Sequence, residues 1–267
     1  MSSWQTEALP EAPDYVSPGG TSEIRLLPSF PSGELAHAKA PPECVAKPAI
    51  LTGITEVFYV VGGSGELWRR QGESEETIEL VVGRSPTIPP GVDFQYRTHS
   101  DPLELIVFSA PRWEREAWSE GAPREWPEDS ALGASGSVPW STIDLPEDVD
   151  YLAPDGSEIR LLPSVQAGGL AHCTLPPGRT SAAVHHRTVE EVWYVLSGEG
   201  ELWRMQSGEE EVVRLQPRRA VTIPTGATFQ FRSAPDQALR ILIGTFPEWP
   251  GPDEAVPAEG HWVVSAA

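Results

Sequence analysis

The segment EIRLLPS occurs at residues 23–29 and again at residues 158–164, an offset of 135 positions. The same offset aligns GSGELWR at 63–69 with GEGELWR at 198–204. Two shorter pairs also match at this offset: TIPPG at 87–91 with TIPTG at 222–226, and FQYR at 94–97 with FQFR at 229–232. Matches of this length without a gap indicate one fold encoded twice. The sequence therefore predicts two units of similar architecture within 267 residues.

Short apolar runs in both copies indicate β-strands. VFYVV at 57–61 and VWYVL at 192–196 are two such runs, and a glycine-rich turn follows each of them. Runs of this composition bounded by turn residues are typical of strands, and the 28 prolines spread along the chain disfavour helices. We expect an all-β protein with two barrels.

Breaks in this pattern predict the domain boundaries. The region around 116–146 is rich in proline and glycine and lacks periodicity, which is typical of a linker. We expect an N-terminal tail at 1–14, a first barrel at 15–115, a linker at 116–146, a second barrel at 147–251, and a C-terminal tail at 252–267 that packs through Trp262.

Composition excludes several classes of partner. The net charge is −20 and no basic stripe interleaved with aromatic residues is present, so nucleic acid and anionic membranes are not expected partners. There is no apolar leader and no long apolar run, and we expect a cytoplasmic protein. Cys44 and Cys173 lie at non-equivalent positions, which predicts buried free thiols.

The two copies differ most where copy two reads VHHRTVEE at 184–191 and copy one reads AILTGITE at 49–56. In copy two, Gly178, His186, Glu191 and Gly198 are spaced as in the first motif of the cupin superfamily, and Pro-Thr-Gly at 224–226 resembles the turn of its second motif.

The resemblance extends over both copies, so the chain looks like a bicupin with two tandem jelly-roll (double-stranded β-helix) barrels, similar to bacterial cupins without a clear activity. Cupins include oxygenases, isomerases, decarboxylases, and sugar-binding and storage proteins. The resemblance thus implies the fold and leaves the activity open.

A metal-binding cupin holds its ion with three histidines and one glutamate inside the barrel. By resemblance, His186 and Glu191 occupy two of these positions in copy two, while Val184 and Phe229 replace the first and last histidines. Imidazole and carboxylate ligands suit Fe, Mn, Ni or Zn, so a divalent transition metal is possible in the C-terminal barrel.

His172 and His185 are the candidates to complete that ligand shell. Strand alternation turns His185 outward unless a bulge intervenes, and the matching His37 in copy one favours a structural role for His172. Without a metal, His186 and Glu191 would be a buried hydrogen-bonded pair or a general acid–base pair.

Aromatic residues at two further places are candidates for contact with a ligand. Trp193, Phe229 and Phe231 are expected to give the second barrel a partly aromatic pocket lining. Trp-Arg pairs recur at 68–69 and 203–204, and their presence in both copies favours barrel packing and strand-edge ion pairs over a planar ligand.

Copy one has lost the metal ligands. Ala49, Leu51 and Phe94 stand at the three histidine positions, which leaves Glu56 alone. A single carboxylate cannot replace the water shell of a divalent ion, so no metal is expected there, and Glu56 should hydrogen-bond to neighbouring polar groups.

Three functions remain open. The first is a metal-dependent oxygenase, isomerase or cyclase with its site in the C-terminal barrel. The second is a non-catalytic bicupin that binds a small molecule or has a structural role, and the third is a metal-free acid–base isomerase using His186 and Glu191. The expected partner is a small-molecule ligand, and the chain is expected to be a monomer (an internal pseudo-dimer) or a homodimer.

Overall fold

The structure is a computed structural model that describes residues 4–126, 132–135 and 138–265. Within these residues the helical structure consists of two 3-10 turns, Arg115–Ala117 and Pro252–Glu254, and none of it is long enough to cross a membrane. The predicted all-β fold is confirmed. Parts of the predicted linker, residues 127–131 and 136–137, lie outside the described residues.

In the described part of the chain, the strands up to residue 144 precede or belong to the first barrel. Strands β1 to β14 are Thr6–Ala8, Tyr15–Val16, Glu23–Phe30, Gly33–Ala40, Ala49–Leu51, Thr55–Gly62, Gly65–Gln71, Ser74–Leu80, Arg84–Ile88, Asp93–Thr98, Leu103–Ala110, Trp118–Glu120, Gly133–Ser135 and Thr142–Asp144. The first barrel consists of two antiparallel sheets, with strand orders β14-β9-β6-β11-β4-β3-β2 and β12-β5-β10-β7-β8-β13.

The second barrel repeats this plan. Strands β15 to β25 are Tyr151–Leu152, Glu158–Val165, Gly168–Leu175, Val184–His186, Glu190–Ser197, Gly200–Gln206, Glu209–Leu215, Arg219–Ile223, Thr228–Ser233, Leu239–Phe246 and Ala255–Pro257. Its sheets have the orders β1-β22-β19-β24-β17-β16-β15 and β21-β20-β23-β18-β25. In each barrel the facing sheets bury a cluster of apolar side chains, which stabilises the barrel by removing that surface from water.

Segments predicted as tail and linker form edge strands. β1 pairs with β22 of the second barrel, with Thr6 opposite Val221, and β14 pairs in the same way with β9 of the first barrel. The described residues divide into one compact unit built mainly from 10–27 and 33–144 and another that combines 4–9, 28–32 and 145–265. The N-terminal segment is therefore part of the second barrel.

A buried arginine holds each of these edge strands. Arg204 has no exposed surface; its Nη1 donates to the Gln5 carbonyl (3.1 Å) and its Nη2 donates to Thr6 Oγ1 (2.6 Å). The guanidinium also pairs with Glu211 and lies 5.6 Å from the centre of the Trp4 ring. These contacts compensate the cost of burying the charge.

Arg69 makes the equivalent contacts in the first barrel. It donates to the Ser141 carbonyl (3.1 Å) and to Thr142 Oγ1 (2.7 Å), pairs with Glu76, and lies 5.4 Å from the Trp140 ring. Both arginines thus bind backbone and side chains of their own compact unit. The expected structural role of the repeated Trp-Arg pairs agrees with this placement.

Candidate functional site

Two strands of the second barrel bring His186 and Glu191 to one cavity. His186 ends β18 and Glu191 is the second residue of β19, and the buried-intermediate-buried pattern of β18 turns Val184 and His186 to the same side. All three line a cavity of about 780 Å³ inside the barrel. The alternation expected from the sequence therefore places His186 and Glu191 in one interior site.

The two side chains face each other without a hydrogen bond. His186 Nδ1 lies 3.9 Å from Glu191 Oε1, beyond hydrogen-bonding distance, and this buried nitrogen has no partner within the described part of the chain. The other carboxyl oxygen, Oε2, accepts a hydrogen bond from Trp193 Nε1 at 2.7 Å. Trp193 therefore fixes the orientation of the Glu191 carboxyl group.

Aromatic rings hold the imidazole in place. The His186 ring makes edge contacts with Phe229 and with Trp249, each with ring centres 5.1 Å apart. Trp193 packs edge-on against Phe229 and Phe231 at 5.6 and 5.1 Å. The expected pocket residues Trp193, Phe229 and Phe231 all line the cavity. These contacts restrict His186 to one orientation on an apolar wall.

Burial reverses the usual protonation of this pair at neutral pH. Desolvation is the main cause that raises the pKa of Glu191 to about 8, and the negative charges of Asp155 and Glu254 raise it further. Desolvation likewise lowers the pKa of His186 to about 4, against the opposing effect of Glu254 and Asp155. At pH 7 the carboxyl group therefore keeps its proton and the imidazole is neutral.

Asp155 is a cavity residue that sequence reasoning missed. It lies in the turn between β15 and β16, where its Oδ1 accepts hydrogen bonds from the backbone N–H of Ser157 (2.8 Å) and from Ser157 Oγ (2.7 Å). Burial raises the pKa of its carboxyl group despite these bonds. A signal was available, because copy one has Gly19 at this place in the otherwise similar Pro-Gly turn.

Glu254 supports the site from the C-terminal segment. Its Oε1 accepts hydrogen bonds from the backbone N–H groups of Thr188 (2.5 Å) and Val189 (2.8 Å), and its Oε2 accepts one from Thr188 Oγ1. This carboxylate therefore fixes the loop that joins β18 to β19, and hence the spacing between His186 and Glu191. The same hydrogen bonds lower its own pKa.

The structure does not bring His172 and His185 to the cavity. On β17 the neighbours Ala171 and Cys173 line it, so His172 points to the opposite face of the sheet, where Arg160 lies opposite it in the register. His185 alternates with the two inward-facing residues of β18 and is absent from the lining. The strand continues without the bulge that would reverse this parity.

The site has fewer metal-ligating side chains than a metal-binding cupin uses to hold its ion. Val184 and Phe229 stand at two of the four ligand positions, and Trp193 already occupies one oxygen of Glu191. Among the described residues, no group of three or more His, Cys, Asp or Glu side chains is placed to hold a metal ion. His186 and Glu191 alone supply too few ligands to replace the coordinated water of a transition metal.

Cations are also missing from the cavity wall. Of the described residues that line it, none is lysine or arginine, whereas Asp155, Glu191 and Glu248 carry carboxyl groups. Most of the remaining lining residues are apolar or aromatic. Such a wall favours a neutral ligand with an apolar body, because an anion would meet carboxyl groups without a compensating charge.

Comparison with known proteins gives one sequence match and several structural ones. Residues 171–244 match the cupin domain family Cupin_2, and no curated protein matches the sequence. The fold is similar to that of a variant of oxalate decarboxylase from Bacillus subtilis in which phenylalanine replaces a tryptophan. The TM-score is 0.72, with 14% identity over 91% of this chain and 77% of that one.

Two seed proteins have similar folds. Procruciferin, an 11S globulin from Brassica napus, has a TM-score of 0.69 and 12% identity over 91% of this chain and 84% of that one. The coconut allergen cocosin has a TM-score of 0.70 and 11% identity over 91% of this chain and 85% of that one. At such identities the likeness establishes a shared fold.

Proposed function

Because the chain is a bicupin of the cupin superfamily, with one cupin barrel in each half, we propose that its second barrel binds a neutral carbonyl compound and isomerises it by proton transfer without a metal. The observation that carries this proposal is a roomy apolar cavity in which a neutral imidazole faces a protonated carboxyl group. A base and an acid ready at the same pH are the requirement for general acid–base catalysis.

The proposed reaction divides the work between the two side chains. His186 takes a proton from the carbon next to the carbonyl group, while Glu191 gives its proton to the carbonyl oxygen, and an enol forms. With a β,γ-unsaturated substrate this enol is a dienol. His186 then returns its proton to the γ carbon, Glu191 recovers the enol proton, and the double bond moves to the α,β position. Both side chains end in their starting states, and the product is an isomer of the substrate.

The orientation of the pair supports these roles. The Trp193 indole donates to Glu191 Oε2, which favours the proton on Oε1, the oxygen 3.9 Å from His186 Nδ1. A substrate that lies against both atoms from the cavity side would therefore meet both the acid and the base. The surrounding aromatic residues would exclude water and bind the apolar body of the substrate.

A metal-dependent oxygenase, isomerase or cyclase is the second candidate. The observation that favours it is the buried His186 Nδ1, which has no partner within the described residues and lies near Glu191. His186 and Glu191 would be two of the ligands of an Fe, Mn, Ni or Zn ion. The argument against this candidate is that two protein ligands are too few to hold such an ion.

Isotope exchange tests the proposal. The protein is purified without chelators, its metal content is measured, and it is incubated in D₂O with a panel of neutral aryl ketones and aldehydes. We expect deuterium at the carbon next to the carbonyl group of at least one compound, at the same rate with and without a chelator. His186→Gln and Glu191→Gln should each lose this exchange.

His185→Gln is the matched control, because it changes the neighbouring histidine that points away from the cavity. It should exchange at the wild-type rate. A bound stoichiometric metal together with exchange that stops in chelator would select the metal-dependent candidate. Binding of these compounds without exchange in any variant would select a non-catalytic binding protein.

A further inference from the structure

A smaller cavity in the first barrel contains two carboxyl groups. It has a volume of about 100 Å³, and both Glu34, on β4, and Glu56, on β6, line it. Both residues are more than nine-tenths buried. The neighbouring Lys47 is exposed, so the basic residue among the lining lies at the mouth of the cavity and not inside it.

Glu56 is a buried acid without a hydrogen bond. Contrary to the expectation from the sequence, it makes no hydrogen bond or ion pair within the described part of the chain, and it is 8% exposed. Its carboxyl group is aimed into the cavity, whereas Glu34 is paired with Arg112 Nε at 3.2 Å. Burial raises the pKa of the Glu56 carboxyl group to about 8, so at pH 7 this group holds a proton, which it would release when a positively charged ligand binds beside it.

The other walls of the cavity are aromatic. Tyr15 and Trp113 stack with ring centres 6.1 Å apart and planes inclined by 21°, and Phe58 meets Phe94 edge to face at 6.3 Å. Tyr96 and Trp118 also line the cavity. Aromatic faces attract cations through their quadrupoles, and desolvation strengthens the attraction. Carboxyl groups and aromatic faces around one small volume are the features that recognise an ammonium ion.

We propose that the first barrel binds a small organic ammonium ion, with its charge on Glu56 and its carbon atoms against Trp113 and Trp118. The charge of Glu34 contributes from the neighbouring strand. Copy two does not repeat this arrangement, because Gly169 replaces Glu34 and Ala255 replaces Trp118 in the strand register. The cavity has room for about four heavy atoms, given that a 150 Å³ cavity holds the six of benzene.

This site is independent of the proposed isomerase reaction in the second barrel. The probe is isopropylammonium chloride, and propan-2-ol is its neutral analogue of nearly the same shape. Sodium chloride at equal concentration controls for the general attraction of cations to a chain of net charge −20. Tryptophan fluorescence and the shift in thermal unfolding temperature report binding.

We expect saturable binding of isopropylammonium, with a rise in unfolding temperature that neither propan-2-ol nor sodium chloride produces. Glu56→Gln keeps the shape of the side chain and should weaken binding by about tenfold or more. Trp113→Leu should weaken it as well. Asp101→Asn removes one negative charge from an exposed position and should leave binding unchanged.

Four results would contradict the proposal. The first is the absence of saturable binding, and the second is equal binding of the ammonium ion and the alcohol. The third is wild-type affinity in Glu56→Gln, which should fold because a buried acid is replaced by a neutral amide. Equal weakening by Asp101→Asn would also count against a specific site.

Discussion

Glu191 connects the chemistry of the second barrel to its stability. In the unfolded chain its carboxyl group has an ordinary pKa of 4.5, and burial raises this pKa to about 8 in the folded chain. Between these values the folded state holds a proton that the unfolded state has lost. Stability therefore falls as the pH rises through this window, and above it the full cost of a buried charge remains.

Glu191→Gln should remove the free-energy cost of burying a charged carboxylate. The amide oxygen can still accept the Trp193 hydrogen bond, and no charge is buried. At pH 9 we expect the variant to be more stable than the wild type by an amount on the order of a few kcal/mol, and at pH 5 the two should differ little. Denaturant unfolding at both pH values measures this difference. A variant less stable than wild type at pH 9 would show that the charge is compensated.

Residues that line the cavity were predictable where motif spacing marks them. His186 and Glu191 follow from the spacing of the first cupin-like motif, and strand alternation turned His185 outward as expected. Asp155 and Glu254 reach the site from segments 31 residues before and 68 residues after His186. No local pattern marks such distant partners, because only the closed barrel brings them together.

Each barrel has one short edge strand, β1 or β14, that a buried arginine holds in place. β1 and β14 are short, and their contacts centre on the buried guanidinium groups of Arg204 and Arg69. The similarity of WQT at 4–6 to WST at 140–142 was present in the sequence. It lies at an offset of 136 instead of 135, so an ungapped comparison hides it.

Arg204→Met tests the contribution of this element. The variant leaves Glu211 without its partner and removes the contacts to Gln5 and Thr6, so we expect a loss of about 3 kcal/mol or more in the free energy of unfolding. Arg214→Met is the control, because Arg214 pairs with Glu199 on the surface and should be tolerated without a measurable loss. Equal losses in both variants would contradict a special role for the buried arginine.

At the scale of the whole molecule, one fold holds two interiors of different size and charge. The repeat in the sequence was sufficient to predict two similar β-barrels. It was not sufficient to predict cavities of about 100 and 780 Å³, because their sizes depend on single exchanges such as Glu34 to Gly169 and Trp118 to Ala255. The two cavities differ in how much of the barrel interior the side chains fill, and a pattern of hydrophobic positions does not encode side-chain volume.

The most direct measurement is the protonation state of the pair at pH 7. NMR of protein with ¹³C-labelled glutamate and ¹⁵N-labelled histidine, assigned with Glu191→Gln and His186→Gln, reads both side chains in protein purified without chelators. We expect a protonated Glu191 carboxyl group beside a neutral His186 imidazole, with signals that do not change when a chelator is added. An ionised Glu191 at pH 7, or signals that shift when chelator removes a metal, would contradict a metal-free acid–base site.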